Sequence, residues 1–589
     1  MASIPSVAPA RNHGRFLIWS RINRAFFERD NFSTTLILFS LYLLSIAVTY
    51  LTLVAPEKSY IKTWLNDVMF LLDTANRVHQ GQIPYRDFHF FYGPLVAFIP
   101  ALGLDIGLKG GVIFGFDSVV VGGLVLLVAV VTMSRRLTLP SAVMTFVYIW
   151  LLIVVPMGEG RPFDENSWGT YYNRHGWAAL IVILLFYVEP ELVRPRDKWI
   201  DAIALSILVL FEVYTKITFG AIALAFVVAN SMVSKYNRDV SIRSVALIAI
   251  VVACLEATLH FHLAYWRDIL EQTSKASGHM DTSDALSMLV GNSPIILACL
   301  AALTATRAAG RSSAFDGLFV FACIAASMLV RASVGDNNAG QLVALVAVLL
   351  CLSELARRAE MKSIAPATTT RLDWARHWAS LGCLFLALVF ISTEAGNRII
   401  AWGNYYVKVT RADGRTLPGP PPSLSNFLVY KSDEPNLFDL TADNTPTADA
   451  MLTRYRSARA GSNEMLTVEE YMRTIIEGAN LLRSVDYHNR TVFTFDMADL
   501  FTYALNMRPT SKGYPHMWVG GASYTTDAKL LPQPEALLGD ADFIMVPRLP
   551  FSVSQFMALM DLYGPYLKSN YVQLKDSSHW ELWTRKGEQ

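Results

Sequence analysis

Charged residues are scarce in this sequence. Only 17% of its 589 residues are Asp, Glu, Lys or Arg, whereas soluble domains carry about 25%. With 53% hydrophobic residues and a mean hydropathy of +0.34, the chain belongs to the membrane class. The formal net charge is +1, which argues against a nucleic-acid partner, because such partners usually require a basic stripe.

Cysteine is also rare, and the five cysteines all lie inside apolar runs: Cys254, Cys299, Cys323, Cys351 and Cys383. They show neither metal-binding spacing nor a pairing pattern, so we interpret them as packing residues. The polar C-terminal third has no cysteine, which favours a bacterial envelope over a disulfide-forming lumen.

Long apolar runs, in contrast, are abundant. The first extends from Phe32 to Val54, follows an Arg-rich N-terminal segment and lacks a small-residue cleavage site, so it predicts a retained transmembrane helix. The runs of roughly spanning length are 34–54, 111–133, 140–157, 176–189, 199–214, 217–233, 242–262, 288–306, 316–332, 340–356 and 379–394.

Lys and Arg alternate between the connections of these runs. Basic clusters such as Arg135-Arg136 and Arg357-Arg358 fall on every second connection, provided that residues 93–108 stay outside as an interfacial or re-entrant helix. The positive-inside rule then predicts about eleven spans in a bacterial cytoplasmic membrane, with the N-terminus in the cytoplasm and the C-terminus outside.

The predicted fold class is an all-α polytopic membrane domain followed by an extracytoplasmic α/β domain. The predicted segments are a basic cytoplasmic segment at 1–33, a membrane domain at 34–394, a linker at 395–440 that contains the extended stretch Leu417–Pro422, and a periplasmic domain at 441–589. In that last domain the predicted helices are Thr447–Ala460, Leu466–Val485 and Ser552–Leu567, and the predicted strands are Thr491–Phe495, Asp542–Val546, Tyr571–Leu574 and Trp580–Thr584.

The loop at residues 66–95 follows the first apolar run and carries an ordered set of residues. Asp67 stands on a helical stretch, Ala75 follows two turns later, then Gly81, and then Gly93-Pro94 before another helix. This order resembles the first extracytoplasmic loop of the GT-C glycosyltransferases, which include lipid A aminoarabinose transferases and protein O-mannosyltransferases. The C-terminal third is similarly like the soluble domains appended to many bacterial members.

The resemblance implies that Asp67 is the catalytic base that takes a proton from the acceptor. Partial burial at a membrane face could raise its pKa enough for that role. The alternative is that Asp67 only N-caps a helix beginning at Val68. A second carboxylate, Asp73, lies six residues on and is more typical of a solvated helix face.

The resemblance also implies a second acid in the next outer loop, and Asp164 and Glu165 occur there. Their oxygens would suit Mg²⁺ or Ca²⁺, so a divalent cation held by these two residues is the only cofactor that we consider. The alternative is that an outer loop simply requires polar residues.

Binding of a lipid phosphate requires cations at the outer face. Lys216 and Arg331 lie at outer helix ends, against the positive-inside bias, and Arg174 lies in the second outer loop. Lipid A aminoarabinose transferases carry a phosphate-contacting Lys where this chain has Tyr92-Gly93-Pro94, so Arg86 or His89 would have to substitute. The alternatives are snorkelling to head groups and stabilisation of a turn.

These observations favour an inverting glycosyltransferase. Its expected partners are a polyprenyl-phosphate-linked sugar as donor, an envelope glycan, lipid or protein as acceptor, and membrane lipids. We expect the outer domain to support acceptor placement or assembly. The alternatives are a transporter or lipid flippase, which Glu212 and Glu256 inside apolar runs keep open, and a catalytically silent envelope scaffold.

Overall fold

The structure is a computed structural model, and it describes most of the chain. The described residues are 31–158, 162–191, 193–276, 282–308, 314–333, 342–363, 371–411, 416–431, 437–440, 466–519 and 531–587. Helices dominate up to residue 411, and all strands but one lie after that position.

Every apolar run that was predicted to span the membrane contains a helix. The helices in this part of the chain are α1 (Asn31–Thr49, continued by a π-turn to Val54), α2 (Leu65–His79), α3 (Leu95–Asp105), α4 (Val112–Met133), α5 (Leu139–Val154), α6 (Tyr171–Leu184), α7 (Asp197–Thr215), α8 (Ile217–Asn230), α9 (Lys235–Leu259), α10 (His262–Ala276), α11 (Thr282–Gly291), α12 (Ser293–Ala308), α13 (Ala314–Ser333), α14 (Leu345–Ser363) and α15 (Arg371–Arg411).

Four helices of the described chain are long and apolar enough to cross a membrane. They contain Phe32–Val54, Val112–Met133, Lys235–Leu259 and Trp378–Arg411. Helix α3 has 11 residues and is about 16 Å long, about half the thickness of a bilayer core, which agrees with the interfacial helix predicted for this segment. The number of eleven spans and their orientation stay predictions.

Helix α15 crosses the predicted boundary between the membrane domain and the linker. It has 41 residues and is about 60 Å long, so it is longer than the apolar layer is thick. Near its end the Tyr405 hydroxyl donates to Ser59 Oγ at 3.4 Å, and the Lys408 ammonium lies 4.5 Å from the Tyr60 ring centroid. The helix therefore extends as far as the connection between α1 and α2.

The predicted linker is attached to that same loop by a small parallel sheet. Strand β1 (Ser59–Ile61) pairs with β2 (Phe427–Val429), which begins shortly after the Pro-rich stretch Leu417–Pro422. Residues 395–411 of the predicted linker belong to α15, so the linker is not extended over its whole length. The helix predicted at Thr447–Ala460 lies outside the described residues.

Two helices and four strands of the C-terminal domain occur where the sequence predicts them, and three short helices and one short strand were not predicted. In chain order the elements are α16 (Leu437–Leu440), α17 (Val468–Arg483), β3 (Thr491–Thr494), α18 (Phe501–Ala504), β4 (Arg508–Pro509), α19 (Pro534–Leu538), β5 (Phe543–Pro547), α20 (Val553–Asn570), β6 (Tyr571–Asp576) and β7 (Trp580–Arg585). The elements that were not predicted are α16, α18, β4 and α19. The sheet order is β4-β3-β5-β7-β6, with β3 parallel to β4 and β5, and β7 antiparallel to β5 and β6. Helix α17 begins with a capping box in which Thr467 and Glu470 satisfy each other's backbone N–H groups.

The C-terminal domain shares a hydrophobic core with the loop at residues 66–95. Residues of α2 such as Val68 and Leu72 belong to the same buried cluster as Tyr471 and Phe501 of the domain. The expectation that Asp73 lies on a solvated helix face is wrong, because its side chain is fully buried against this domain. Helix α2 and the C-terminal domain therefore form one packed unit.

Most of the cysteines pack as predicted. Cys299, Cys323, Cys351 and Cys383 are buried, whereas Cys254 is exposed on α9. No disulfide joins them in the structure.

Candidate functional site

Asp67 lies in the first turn of α2 and is not its N-cap. The helix begins at Leu65 after Trp64, which adopts a left-handed conformation with φ of 62° and makes no side-chain cap hydrogen bond. The interpretation of Asp67 as the cap of a helix beginning at Val68 is therefore wrong. The connection between α5 and α6 approaches Asp67 closely at Gly169, where an added Cβ would stand 2.9 Å from the Asp67 Cβ. Only glycine fits this contact.

Burial raises the pKa of Asp67 to about 7, although a hydrogen bond from Asn66 lowers it. The Asn66 amide donates to Asp67 Oδ1 at 2.9 Å. The positive end of the α2 dipole also favours the charged carboxylate, but dipole effects near exposed helix ends are typically below about 1 kcal/mol. A carboxylate whose pKa lies near neutral pH is suited to accept a proton as a general base.

Tyr92 and Tyr172 form an aromatic pair beside Asp67. Their ring centroids are 4.5 Å apart. Burial raises the pKa of the Tyr92 phenol, and the negative charge of Asp67 raises it further, so the two groups interact electrostatically. The tyrosine pair thus joins the first loop to the beginning of α6.

Lys216 lies on the same tyrosine pair, in the connection between α7 and α8. Its ammonium is 5.9 Å from the Tyr172 ring centroid, and it donates to Asn173 Oδ1 at 3.3 Å. Burial lowers the pKa of Lys216 to about 7. The ammonium is thus easily neutralised by its surroundings, and a bound anion would favour its charged form.

Gly93 holds the first loop against this connection. Its N–H donates to the Thr215 carbonyl at 3.0 Å, and an added Cβ would stand 2.1 Å from the Tyr214 carbonyl oxygen. Any side chain at this position would separate the two segments. We use the name Asp67–Lys216 site for Asp67, Tyr92, Tyr172 and Lys216.

Two solved structures are similar to this chain over most of its length. Both are crystal structures of ArnT from Cupriavidus metallidurans, one bound to undecaprenyl phosphate and the other in the apo state. The identities are 12% and 11%, with 93% and 92% of this chain and 98% of each of those chains covered, and the TM-score is 0.40 for both.

No protein-family model matches the chain, and no curated protein matches it. At this identity and TM-score the argument for function depends on the chain's own residues.

Arg174 is buried and contacts the protein interior. It donates to the Val155 carbonyl, and its guanidinium lies 5.6 Å from the Trp168 ring centroid. The neighbouring His175 places Nδ1 3.3 Å from Asp117 Oδ1 of α4. Arg174 is adjacent in sequence to the Asn173 that holds Lys216, but its own phosphate-binding role stays a prediction.

Arg86 and His89 lie on the side of the first loop that faces the C-terminal domain. Arg86 is exposed and pairs with the adjacent Asp87 at 2.9 Å. His89 Nδ1 is 3.1 Å from Asp268, and its ring packs on Tyr514 at 4.5 Å between centroids. These contacts give both residues a structural role, and their binding to donor phosphate stays a prediction.

Asp164 is paired with a lysine. Lys62 Nζ is 2.5 Å from Asp164 Oδ2, and this hydrogen bond is the largest reason why the pKa of Asp164 lies below its usual range. Among the described residues there is no group of three or more His, Cys, Asp or Glu side chains that could hold a metal ion. The divalent cation at Asp164 and Glu165 therefore stays a prediction. The side chain of Arg331 lies outside the described part of the chain.

Other residues around the site were not predicted from the sequence. Arg77 of α2 is buried between Asp73 and Asp499, at 2.8 and 3.3 Å respectively, and donates to the Thr510 carbonyl at 2.9 Å. The other carboxylate oxygen of Asp499 accepts a hydrogen bond from the Thr494 hydroxyl at 2.9 Å. Partners more than 400 positions apart leave no signal in local sequence spacing.

Proposed function

We propose that the protein is a membrane glycosyltransferase that uses a polyprenyl-phosphate-linked sugar and modifies a hydroxyl-bearing acceptor. The observation that carries this proposal is the arrangement of a carboxylate and a lysine, both with pKa values near 7, on one tyrosine pair. A base and a cation are the two groups that sugar transfer from a phosphate ester requires.

The reaction is a single displacement. Asp67 accepts the proton of an acceptor hydroxyl as the oxygen attacks the anomeric carbon of the donor. The bond between that carbon and the phosphate oxygen breaks, and its electron pair leaves with the lipid phosphate. Lys216 stabilises the negative charge that develops on the phosphate, and attack opposite the leaving group inverts the anomeric centre.

A transporter or flippase has less support. Such proteins place ionisable groups near the bilayer midplane. Glu212 lies in the last turn of α7, and Glu256 lies near the end of α9, where its carboxylate accepts from the His262 backbone at 3.0 Å. Both carboxylates therefore lie at helix ends. Glu212 is close to the connection that contains Lys216, and Glu256 is close to the connection between α9 and α10.

Lys216→Ala should weaken donor binding, because a cation facing the phosphate is lost. Charge-assisted hydrogen bonds contribute about 1.5–3 kcal/mol, so we expect the dissociation constant to rise by about 10- to 100-fold. The measurement is binding of a polyprenyl-phosphate-linked sugar to the purified protein in detergent. The matched control is Lys198→Ala, which removes a lysine that pairs with Asp239 elsewhere in the membrane domain. Equal affinity in wild type and Lys216→Ala would contradict the assignment.

The rate of transfer should depend on pH through both groups. Asp67 is an active base only when ionised, above a pKa of about 7, and Lys216 is fully charged only below a pKa of about 7. We therefore expect kcat/KM to rise with pH on the acid side, to fall on the alkaline side, and to peak near neutral pH. In Lys216→Arg the alkaline limb should disappear, since arginine stays protonated. An alkaline limb unchanged in Lys216→Arg would assign it to another group.

A further inference from the structure

His516 of the C-terminal domain packs against buried aromatic side chains of the first loop. The chain before it runs along that loop, because the Lys512 N–H donates to the Asp87 carbonyl at 2.7 Å and the His89 N–H donates to the Gly513 carbonyl at 3.1 Å. The imidazole then packs on Phe70, with 4.9 Å between ring centroids, and on Phe91 at 5.9 Å. Its position is thus fixed by backbone contacts between the domain and the loop.

Both ring nitrogens of His516 are buried, and neither has a hydrogen-bond partner among the described residues. Burial lowers the pKa of His516 to about 4, so the ring is neutral at pH 7 and presents one N–H donor and one acceptor. A buried polar group without a partner is unfavourable for folding. A histidine retained there for packing alone would be better replaced by an apolar ring.

The ring packs in the same buried aromatic cluster as the tyrosines of the Asp67–Lys216 site. Phe70 follows Asp67 by three residues, so the two side chains are neighbours on α2. Phe70 also lies 5.8 Å from Tyr92, which packs on Tyr172. His516 is therefore connected to the Asp67–Lys216 site through Phe70, which packs on Tyr92. Lys216 contacts the other tyrosine of the pair, Tyr172.

We propose that His516 hydrogen-bonds a hydroxyl group of a sugar acceptor, so that the C-terminal domain supplies part of the acceptor site. This inference rests on the proposed function, in which the acceptor must meet Asp67 opposite the leaving phosphate. A neutral imidazole can both donate to and accept from hydroxyl groups. Acceptor recognition would then be divided between the loop and the domain.

The test uses the purified full-length protein with a polyprenyl-phosphate-linked sugar and a panel of methyl glycosides as acceptor probes. Release of polyprenyl phosphate is measured without probe, which reports hydrolysis, and with each probe, which reports transfer. In the wild type we expect at least one glycoside to accelerate release. Absence of acceleration by any glycoside would overturn the assignment of a sugar acceptor, while hydrolysis alone would still support the proposed function.

His516→Phe keeps an aromatic ring but removes both nitrogens. We expect the KM for the accelerating glycoside to rise by about 3- to 10-fold, which corresponds to the loss of one hydrogen bond. Donor hydrolysis should stay the same, and the unfolding temperature should stay the same or rise because two unsatisfied groups are removed. An unchanged KM in the folded variant would overturn the proposal.

Two further variants separate binding from packing. His516→Gln keeps a donor and an acceptor, so it should recover part of the affinity for the glycoside that His516→Phe loses. His579→Gln is the matched control, since His579 of the same domain bonds Glu477 and the Phe438 carbonyl at 2.5 and 3.0 Å. It should lower stability without changing the KM. The same KM in His516→Phe and His516→Gln would indicate a role in packing only.

Discussion

Asp67→Asn should reduce sugar transfer by about 10²- to 10⁴-fold, the usual contribution of a positioned general base. Asparagine keeps the size of the side chain and can still bond Asn66, but it cannot accept a proton near neutral pH. Donor binding should change little, because the donor phosphate is assigned to Lys216. The measurement is transfer and donor binding, followed separately on the purified protein with a polyprenyl-phosphate-linked sugar.

The same assay tests two other acids, which lie in the connection between α5 and α6. Asp164→Asn removes a carboxylate that pairs with Lys62 and is half exposed, with 48% of its side chain accessible. If Asp164 is the second acid of the site, as the resemblance implies, transfer should fall in this variant also; if it only pairs with Lys62, transfer should be retained. Glu165→Gln tests the cation prediction in the same assay, with and without Mg²⁺. Full transfer by Asp67→Asn would exclude Asp67 as the base.

The sequence was most informative where a property repeats along the chain. Apolar runs of spanning length predicted a helix at every position, because burial in an apolar layer demands long apolar segments whatever their packing. The helix at Leu95–Asp105 was predicted as interfacial from the charge alternation alone. Helix ends were predicted less well: α15 continues to Arg411, since polar residues such as Arg398 and Glu394 can extend a helix beyond the apolar layer.

Pairs formed by distant segments could not be predicted from the sequence. Asp67 and Lys216 stood out individually, but nothing in their spacing indicated that Gly93 brings Lys216 to the tyrosine pair. Asp73 was misjudged because its polar character suggested solvent, whereas its partner Thr502 lies 429 positions away. Such contacts depend on how the C-terminal domain packs on α2, and a single sequence carries no local pattern for that.

The close packing also changes what a deletion of the C-terminal domain would report. Removal of residues 415–589 would expose the buried Arg77 and Asp73 on the very helix that carries Asp67. Loss of activity in that variant would therefore not distinguish a missing acceptor site from a disturbed α2. Point variants such as His516→Phe separate these effects because they leave the packing in place.

Arg77→Met should destabilise the contact between α2 and the C-terminal domain by about 3–5 kcal/mol, since removal of the guanidinium leaves two buried carboxyl groups without their shared partner. Arg77 is 1% exposed and faces Asp73 and Asp499, and burial raises the pKa of both carboxyl groups. Methionine fills similar space, so the loss reports on charge and hydrogen bonds more than on volume. The measurement is chemical denaturation in detergent, with proteolysis between the domains as a second readout.

The pH dependence of this destabilisation separates it from a simple packing defect. Without the guanidinium, the folded-state pKa of each acid moves further above its unfolded value, so folding stability is lost as pH rises and both acids ionise. Because the pKa of Asp499 is already raised to about 8 in the wild type, the deficit of Arg77→Met should grow above about pH 8 and be larger at about pH 9 than at about pH 7. The control is Arg473→Met, whose pair with Asp439 is exposed and should contribute below about 1 kcal/mol. A deficit independent of pH would show that the acids stay neutral beside Arg77, and the domain would then be held on α2 by its apolar core instead of by charge.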